Sequence, residues 1–311
     1  MTTFFLNRLA TEPHALAFAG QSTPWPVALA DQTTDPSLDE ALRGHVAAAG
    51  RLLTPVAADL LATTGRPVDL FGFAPNPARL GAAADATASV EGVALTQLGA
   101  LLDLEHLGYS VAQAKPLAVL GHSQGVLAVH MTRAIEAAGS IEAAGKTLNE
   151  ILAVAALIGA AGTRRVRELG LNPKYGEASP MLSVKGATRA QVEALVARVN
   201  NARGPISIAV TNSDNHHVLS GYPEDLAAFA LEAEREHQHQ AKLREQKLHG
   251  GTVFNPTLEY LEVTLPFHSP LMADAVEQTV AWAGACGFDQ KRTRALAEEV
   301  LLNHVDWTAR V

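Results

Sequence analysis

Cysteine is nearly absent from this chain: Cys286 is the single one among 311 residues. That excludes an internal disulfide and a cysteine-ligated zinc cluster, and it fits a reducing, cytoplasmic setting. Charge is sparse as well. Asp, Glu, Lys and Arg make up 18% of the residues, and 32 acidic side chains outnumber 24 basic ones, for a net charge of −8. Nucleic-acid binders usually carry a basic face, so nucleic acid is not an expected partner. Unbroken apolar runs never approach the roughly 18 residues of a membrane helix, so no span is expected. The start, MTTFFLNRLATEPHALAFAG, lacks a basic leader followed by a long apolar run, so no signal peptide is expected. Internal repeats and low-complexity tracts are also missing. What is present is a globular composition, 48% hydrophobic, in a chain long enough for two subdomains.

The first half reads as alternating strand and helix. HALAFAG, from His14 to Gly20, is a short apolar run closed by glycine, expected to be a buried strand with a loop starting at Gln21. Asp39 to Leu61 and Ala86 to Leu107 have helical spacing, and the proline-bearing stretch 65–82 between them reads as loop. KPLAVLG is a second buried strand. It runs into the turn Gly121-His122-Ser123-Gln124-Gly125, then a helix from about Val126 to Ala138 and another from about Leu148 to Glu168. After Pro180 the pattern changes. PMLSVKG (strand), TRAQVEALVARVN (helix), ISIAVTN and HHVLSG (two strands), YPEDLAAFALEAEREHQ (helix) and LEVTLPF (strand) give β-α-β-β-α-β, the ferredoxin-like order. The last of these strands is expected to deliver His268 back to the main body.

Gly121-His122-Ser123-Gln124-Gly125 carries the clearest chemical signal. A serine hydroxyl is a poor nucleophile near neutral pH and needs a base and oxyanion donors. Gly-X-Ser-X-Gly between strand and helix supplies a tight turn at a helix N-terminus, where backbone N–H groups face a developing anion. Ser123 is the expected nucleophile and the Gln124 N–H the first oxyanion donor; the competing reading is a structural N-cap serine. Twelve histidines could supply the base. His122 adjoins the serine, so its ring points elsewhere and lines a pocket. His216 and His217 fall in a small-domain strand. His237 and His239 face different directions on a helix and read as solvated. His268, in LPFHSPLM, ends an apolar strand, where a polar group is costly without a task. It is the expected base, with a hydrogen-bonded core histidine as the alternative.

Two families use this turn: α/β-hydrolases, and the acyltransferases that load acyl groups from coenzyme A onto acyl carrier protein. The chain resembles the second. FAGQS (Phe18–Ser22), GHSQG, TNSDNHHVLSG, FHSPLM and VDW (Val305–Trp307) are similar to its successive signatures and spread over nearly the whole chain. GHSQGVLAV, LIGAAGT and GGTVFNP look most like the N-terminal acetyltransferase region of the actinobacterial type I fatty acid synthase.

The resemblance implies an α/β acyltransferase fold. An α/β-hydrolase-like large subdomain with a parallel-rich sheet (1–178 and 269–311) would carry the nucleophile. An inserted ferredoxin-like small subdomain (179–268) would deliver the histidine. It implies Ser123 as nucleophile, His268 as general base and then acid, and the Gln21 backbone N–H as second oxyanion donor. A main-chain carbonyl near Val300 would orient His268. Asn212 would hydrogen-bond near the pocket, unless it only forms a turn. Phe267 would limit acyl size, unless it only packs the core. Malonyl-selective members place an arginine where this chain has Ile158, which offers nothing to a carboxylate. The expected acyl group is therefore neutral, acetyl first. Arg164, Arg165 and Arg167 would meet coenzyme A phosphates or an acidic carrier protein, or simply end a solvated helix.

The expected reaction is a ping-pong transfer from acetyl-CoA to the phosphopantetheine thiol of acyl carrier protein through an acyl-serine. Metal and redox cofactors are not expected. The expected partners are acetyl-CoA, an acyl carrier protein domain and the remaining domains of a type I synthase, a longer polypeptide of which this chain would be part. The rival readings are a malonyl- or palmitoyltransferase, a serine thioesterase or esterase, and a catalytically idle structural module.

Overall fold

The computed structural model describes residues 12–20, 24–65, 86–171, 178–202, 205–247, 253–306 and 308. The chain divides into two compact units, residues 1–165 with 275–300, and residues 166–274 with 301–311. The small-subdomain limits expected from sequence, 179 and 268, lie inside the second of these.

In the first unit, β1 (Ala15–Phe18) pairs parallel with β2 (Ala118–Gly121), from Ala15 opposite Ala118 to Phe18 opposite Gly121. The two strands end together, so the chain leaves both at the same edge, where open α/β sheets place their ligands. Among the described residues, β1 is followed by the helices α1 (Trp25–Gln32), α2 (Pro36–Leu52), α3 (Ala57–Thr64) and α4 (Ala86–His106). Asp35 caps α2, accepting from the backbone N–H groups of Ser37 and Leu38. Helix α4 is buried on every face over residues 86–98, which makes it a core helix rather than an amphipathic one. Gly92 is what lets α1 approach it: a Cβ there would lie 2.4 Å from the Trp25 indole.

After the short α5 (Val111–Ala114) and β2, α6 (Val126–Ala138) packs back on both strands. Helix α7 (Ile141–Glu168) begins earlier than its spacing predicts, because the Ser140 hydroxyl accepts from the Ala143 N–H and caps it. By length and composition α7 could cross a membrane. Its most apolar window has a mean hydropathy of 1.3, and 67% of that window is buried inside the protein, the pattern of a core helix. Helices α10 (Ala273–Ala285) and α11 (Gln290–Leu301) come last in the chain order of helices. Arg294 on α11 grips Glu277 on α10 through both guanidinium nitrogens.

The second unit is built on a five-stranded sheet in the order β6-β3-β5-β4-β7. Its strands are β3 (Met181–Lys185), β4 (Ser207–Ser213), β5 (His216–Ser220), β6 (Thr257–Tyr260) and β7 (Val305–Asp306). Each neighbouring pair among the four strands from β3 to β6 is antiparallel. With α8 (Arg189–Ala202) and α9 (Pro223–Glu245) as the connections, they make the ferredoxin-like arrangement. The core beneath the sheet joins Leu182, Val184 and Leu219 to Val192, Leu195, Leu226 and Phe229 of the two helices. β7 adds a parallel edge strand beside β4, pairing Val210 with Val305 and Thr211 with Asp306.

One sequence expectation is corrected here. The strand expected at LEVTLPF lies earlier, at Thr257–Tyr260, and Leu261–Phe267 form no strand. The physical reason is the partner. β3 starts at Met181, whose carbonyl accepts the Leu261 N–H at 3.0 Å. Beyond that point nothing continues the ladder, and Pro266 has no N–H to donate.

Candidate active site

The turn between β2 and α6 is built by close backbone contact. A Cβ on Gly121 would lie 2.4 Å from the Gly125 carbonyl carbon and 2.5 Å from the Val126 nitrogen. A Cβ on Gly125 would lie 2.3 Å from the Phe18 carbonyl oxygen. Neither position has room for a side chain. Between them Ser123 adopts φ +53, the left-handed region that costs a non-glycine residue energy. Ser123 opens a single 3₁₀ turn, Ser123–Gly125, and remains partly exposed. The Gly125 N–H donates to the His122 carbonyl at 2.8 Å, and the His122 N–H donates to the Phe18 carbonyl at 2.9 Å. The imidazole of His122 is half-buried.

The loop after β1 is pressed against this turn. A Cβ on Gly20 would meet the His122 carbonyl oxygen at 2.6 Å, Ser123 Cβ at 3.0 Å and the Gln124 amide nitrogen at 3.4 Å. Gly20, the residue before the expected second oxyanion donor, therefore lies against Ser123 and the Gln124 amide; Gln21 itself lies outside the described residues. From α4, Gln97 donates through Nε2 to the Ala19 carbonyl at 2.6 Å and holds that loop from behind. The side chain of Gln124 is fully buried, and among the described residues neither its Oε1 nor its Nε2 has a hydrogen-bond partner.

His268 lies in the second unit, 3% exposed, with φ +57. Its backbone N–H donates to the Leu301 carbonyl at 2.8 Å. Its ring Nδ1 sits 2.7 Å from the Asn303 carbonyl oxygen. A carbonyl can only accept, so Nδ1 carries the proton and Nε2 is left as a base. The orienting carbonyl is thus Asn303, not Val300 as expected. Val300 is fully buried in the last turn of α11, while Asn303 follows the helix, where its carbonyl is free of the helical ladder.

The remaining candidates fall into place by unit. Phe267 is 2% exposed, its ring centroid 6.4 Å from that of His268. Asn212 Nδ2 lies 3.5 Å from His216 Nε2, which also meets the Ser183 hydroxyl at 3.1 Å. Ile158 is fully buried in α7 of the first unit. Arg164, at the end of α7, donates to Gln278 Oε1 at 2.6 Å. Three other histidines have structural partners: His14 with Tyr109, His45 with Asn149, and His130 with Glu299. His237 is not simply solvated, since its Nδ1 lies 2.8 Å from the Phe254 carbonyl oxygen. Among the described residues, no group of three or more His, Cys, Asp or Glu is placed to hold a metal ion.

Sequence reasoning missed Gln97 and Asn303. Gln97 carries no motif of its own beyond being a buried polar residue in a core helix. Asn303 acts through its backbone, which any residue could supply.

Residues 180–260 match the family model described as the fatty acid synthase central AT domain. Fatty acid synthase 2 of Mycosarcoma maydis is 32% identical over 170 residues, covering 50% of this chain and 4% of that protein. The fatty acid synthase beta subunit TOXC of Cochliobolus carbonum is 29% identical over 163 residues, covering 48% of this chain and 8% of that protein. The chain thus spans a small fraction of the length of the curated relatives it matches. Among solved structures, an acyl carrier protein S-malonyltransferase from Vibrio cholerae superimposes with a TM-score of 0.60 at 15% identity, covering 96% of this chain and 84% of that one. The malonyl CoA-acyl carrier protein transacylase from Coxiella burnetii gives 0.59 at 16%, covering 96% and 82%. At these identities the likeness is one of fold, and the fold is the α/β acyltransferase fold.

Proposed function

We propose that this chain is a serine acyltransferase of fatty acid synthesis, moving an acyl group from coenzyme A to the phosphopantetheine thiol of acyl carrier protein. The observation that carries this reading is Ser123, held at φ +53 between two glycines that have no room for a side chain, at the N-terminus of a helix. Support comes from His268, whose Nδ1 is committed to a carbonyl and whose Nε2 is left as acceptor, and from the synthases and transacylases to which the chain is similar.

In this reading Ser123 Oγ attacks the thioester carbon while His268 Nε2 takes its proton. The oxyanion is held by the Gln124 and Gln21 backbone N–H groups. The C–S bond breaks, and the departing coenzyme A sulfur takes the proton from His268. The phosphopantetheine thiol then loses its proton to His268 and attacks the acyl-serine. The serine leaves and recovers a proton from His268. One thioester replaces another, so the site must chiefly keep water from the acyl-serine. No metal or redox chemistry enters these steps. The partners are a carrier-protein domain and the other domains of a type I synthase, in the cytoplasm.

Acetyl is the proposed acyl group, because Ile158, apolar and fully buried, stands where the resemblance places the arginine that pairs a malonyl carboxylate. Malonyl is the second reading, favoured by the names of the similar transacylases. Competition between acetyl-CoA and malonyl-CoA for covalent labelling, read by intact mass, tests both. Acetylation of the wild type that disappears in Ser123→Ala supports the proposal. Labelling that survives in Ser123→Ala ends it.

A further inference from the structure

The carbonyl that holds His268 hangs on an exposed piece of chain. Asn303 lies between the end of α11 at Leu301 and a strand of only two residues, Val305–Asp306, and both Asn303 and His304 are exposed. Two backbone pairings are a weak anchor for a group whose position sets a catalytic ring. A side-chain clasp lies beside it. His304 Nε2 is 3.2 Å from the Thr211 hydroxyl on β4, and that hydroxyl is 3.4 Å from His217 Nδ1 on β5. Thr211 is 2% exposed and His217 fully buried. A hydroxyl can donate to one ring and accept from the other, so a single threonine ties both imidazoles.

The ring that accepts from Thr211 must be neutral, and the surroundings favour neutral rings on both sides. Burial pushes the pKa of His217 below the usual histidine value; a backbone hydrogen bond to Asp214 opposes it, Arg189 adds to it, and the Ala187 backbone and Asp306 oppose it by less. Partial burial also lowers the pKa of His304, with Arg189 acting second in the same direction, Asp306 opposing and His217 adding a smaller lowering. Arg189 and Asp306 are themselves paired at 3.5 Å. A charged ring in this group would be unfavourable.

We propose that Thr211 and His304 are positioning residues for His268: they fix the Asn303 carbonyl and thereby keep His268 in the tautomer that has its proton on Nδ1 and not on Nε2. The inference rests on the acyltransferase reading for its consequence, while its structural half can be read without any reaction. Thr211→Val removes the hydroxyl at nearly constant shape, and Thr211→Ser keeps it.

The test uses the full chain labelled with ¹⁵N at histidine, the His268 signals being assigned by their loss in His268→Gln. In the wild type, His268 is expected as the Nδ1–H tautomer. In Thr211→Val it is expected as a mixture of tautomers with a shifted titration, and acylation of Ser123 by acetyl-CoA is expected to slow about tenfold or more. Thr211→Ser is expected to restore both. A folded Thr211→Val protein with wild-type His268 tautomer and titration overturns the proposal. If Thr211→Val does not fold, His304→Phe is read by the same measurements with the same two outcomes. A wild type that no acyl-CoA labels would count against the acyltransferase reading, and the tautomer measurement would still decide this one.

Discussion

Ser123 and His268 share an uncommon backbone state: both are non-glycine residues in the left-handed region, at φ +53 and +57. Among the described residues only Lys115 and Lys247 do the same, and each of those follows directly on the end of a helix, where such a residue terminates the ladder. Ser123 instead opens a helical turn, and His268 precedes one. Strain of this kind costs about 1–3 kcal/mol and persists where the surroundings over-determine it. Here it singles out the two residues that the sequence motifs single out.

Ser123→Ala is expected to lower acyl transfer from coenzyme A by at least about 10³-fold while leaving the fold intact. Intact-mass analysis after incubation with acetyl-CoA would show no adduct, and thermal unfolding would match the wild type. Transfer persisting at the wild-type rate would remove serine from the mechanism.

Gly125→Ala is expected to cost stability and activity together. The new methyl would sit 2.3 Å from the Phe18 carbonyl oxygen, a backbone atom that cannot swing aside. Overpacking of this kind costs about 1–3 kcal/mol. Denaturant titration measures the loss, and labelling of Ser123 should slow in the same protein. An unchanged denaturation midpoint would contradict the described contact between the two turns.

Ile158→Arg is expected to shift acyl selection from acetyl-CoA toward malonyl-CoA, with the labelling ratio changing by about tenfold or more, since the guanidinium would pair a carboxylate that the isoleucine strands. An unpaired buried arginine also destabilises, so the variant should gain thermal stability from malonyl-CoA more than from acetyl-CoA. Equal selection in wild type and variant would show that Ile158 lies away from the acyl group.

Acid should destabilise the second unit through His217. Its folded pKa lies below the ordinary 6.5, so between those two values the unfolded chain binds more protons. The stability of the neutral buried ring is fully present above pH 6.5 and is lost as pH falls toward and past the folded value. The thermal midpoint is expected to drop from about pH 7.5 to about pH 5, and to drop less in His217→Gln. An identical slope in the variant would assign the acid sensitivity elsewhere.

Much of the candidate site was legible because the chemistry proposed for it needs particular residue types. Gly121, Gly125 and Gly20 stand where only glycine fits, so they announce the turns in the sequence as plainly as in the coordinates. The ferredoxin-like order could be read from alternating periodicity, because strands and helices in that unit each bury one face. LEVTLPF misled for a complementary reason. Its composition suits a strand, but a strand also needs a partner, and β3 begins at Met181, too late to pair beyond Leu261.

The chain's own order of residues determined which side chains are the candidates for chemistry and which turns hold them, since glycine, serine and histidine have no equivalents there. Tertiary structure alone decided which carbonyl holds His268, that Gln97 braces the loop before Gln21, and that Thr211 lies between His217 and His304. Backbone carbonyls are chemically alike at every residue, and side chains far apart in sequence meet only through packing. Neither leaves a mark that can be read along the chain.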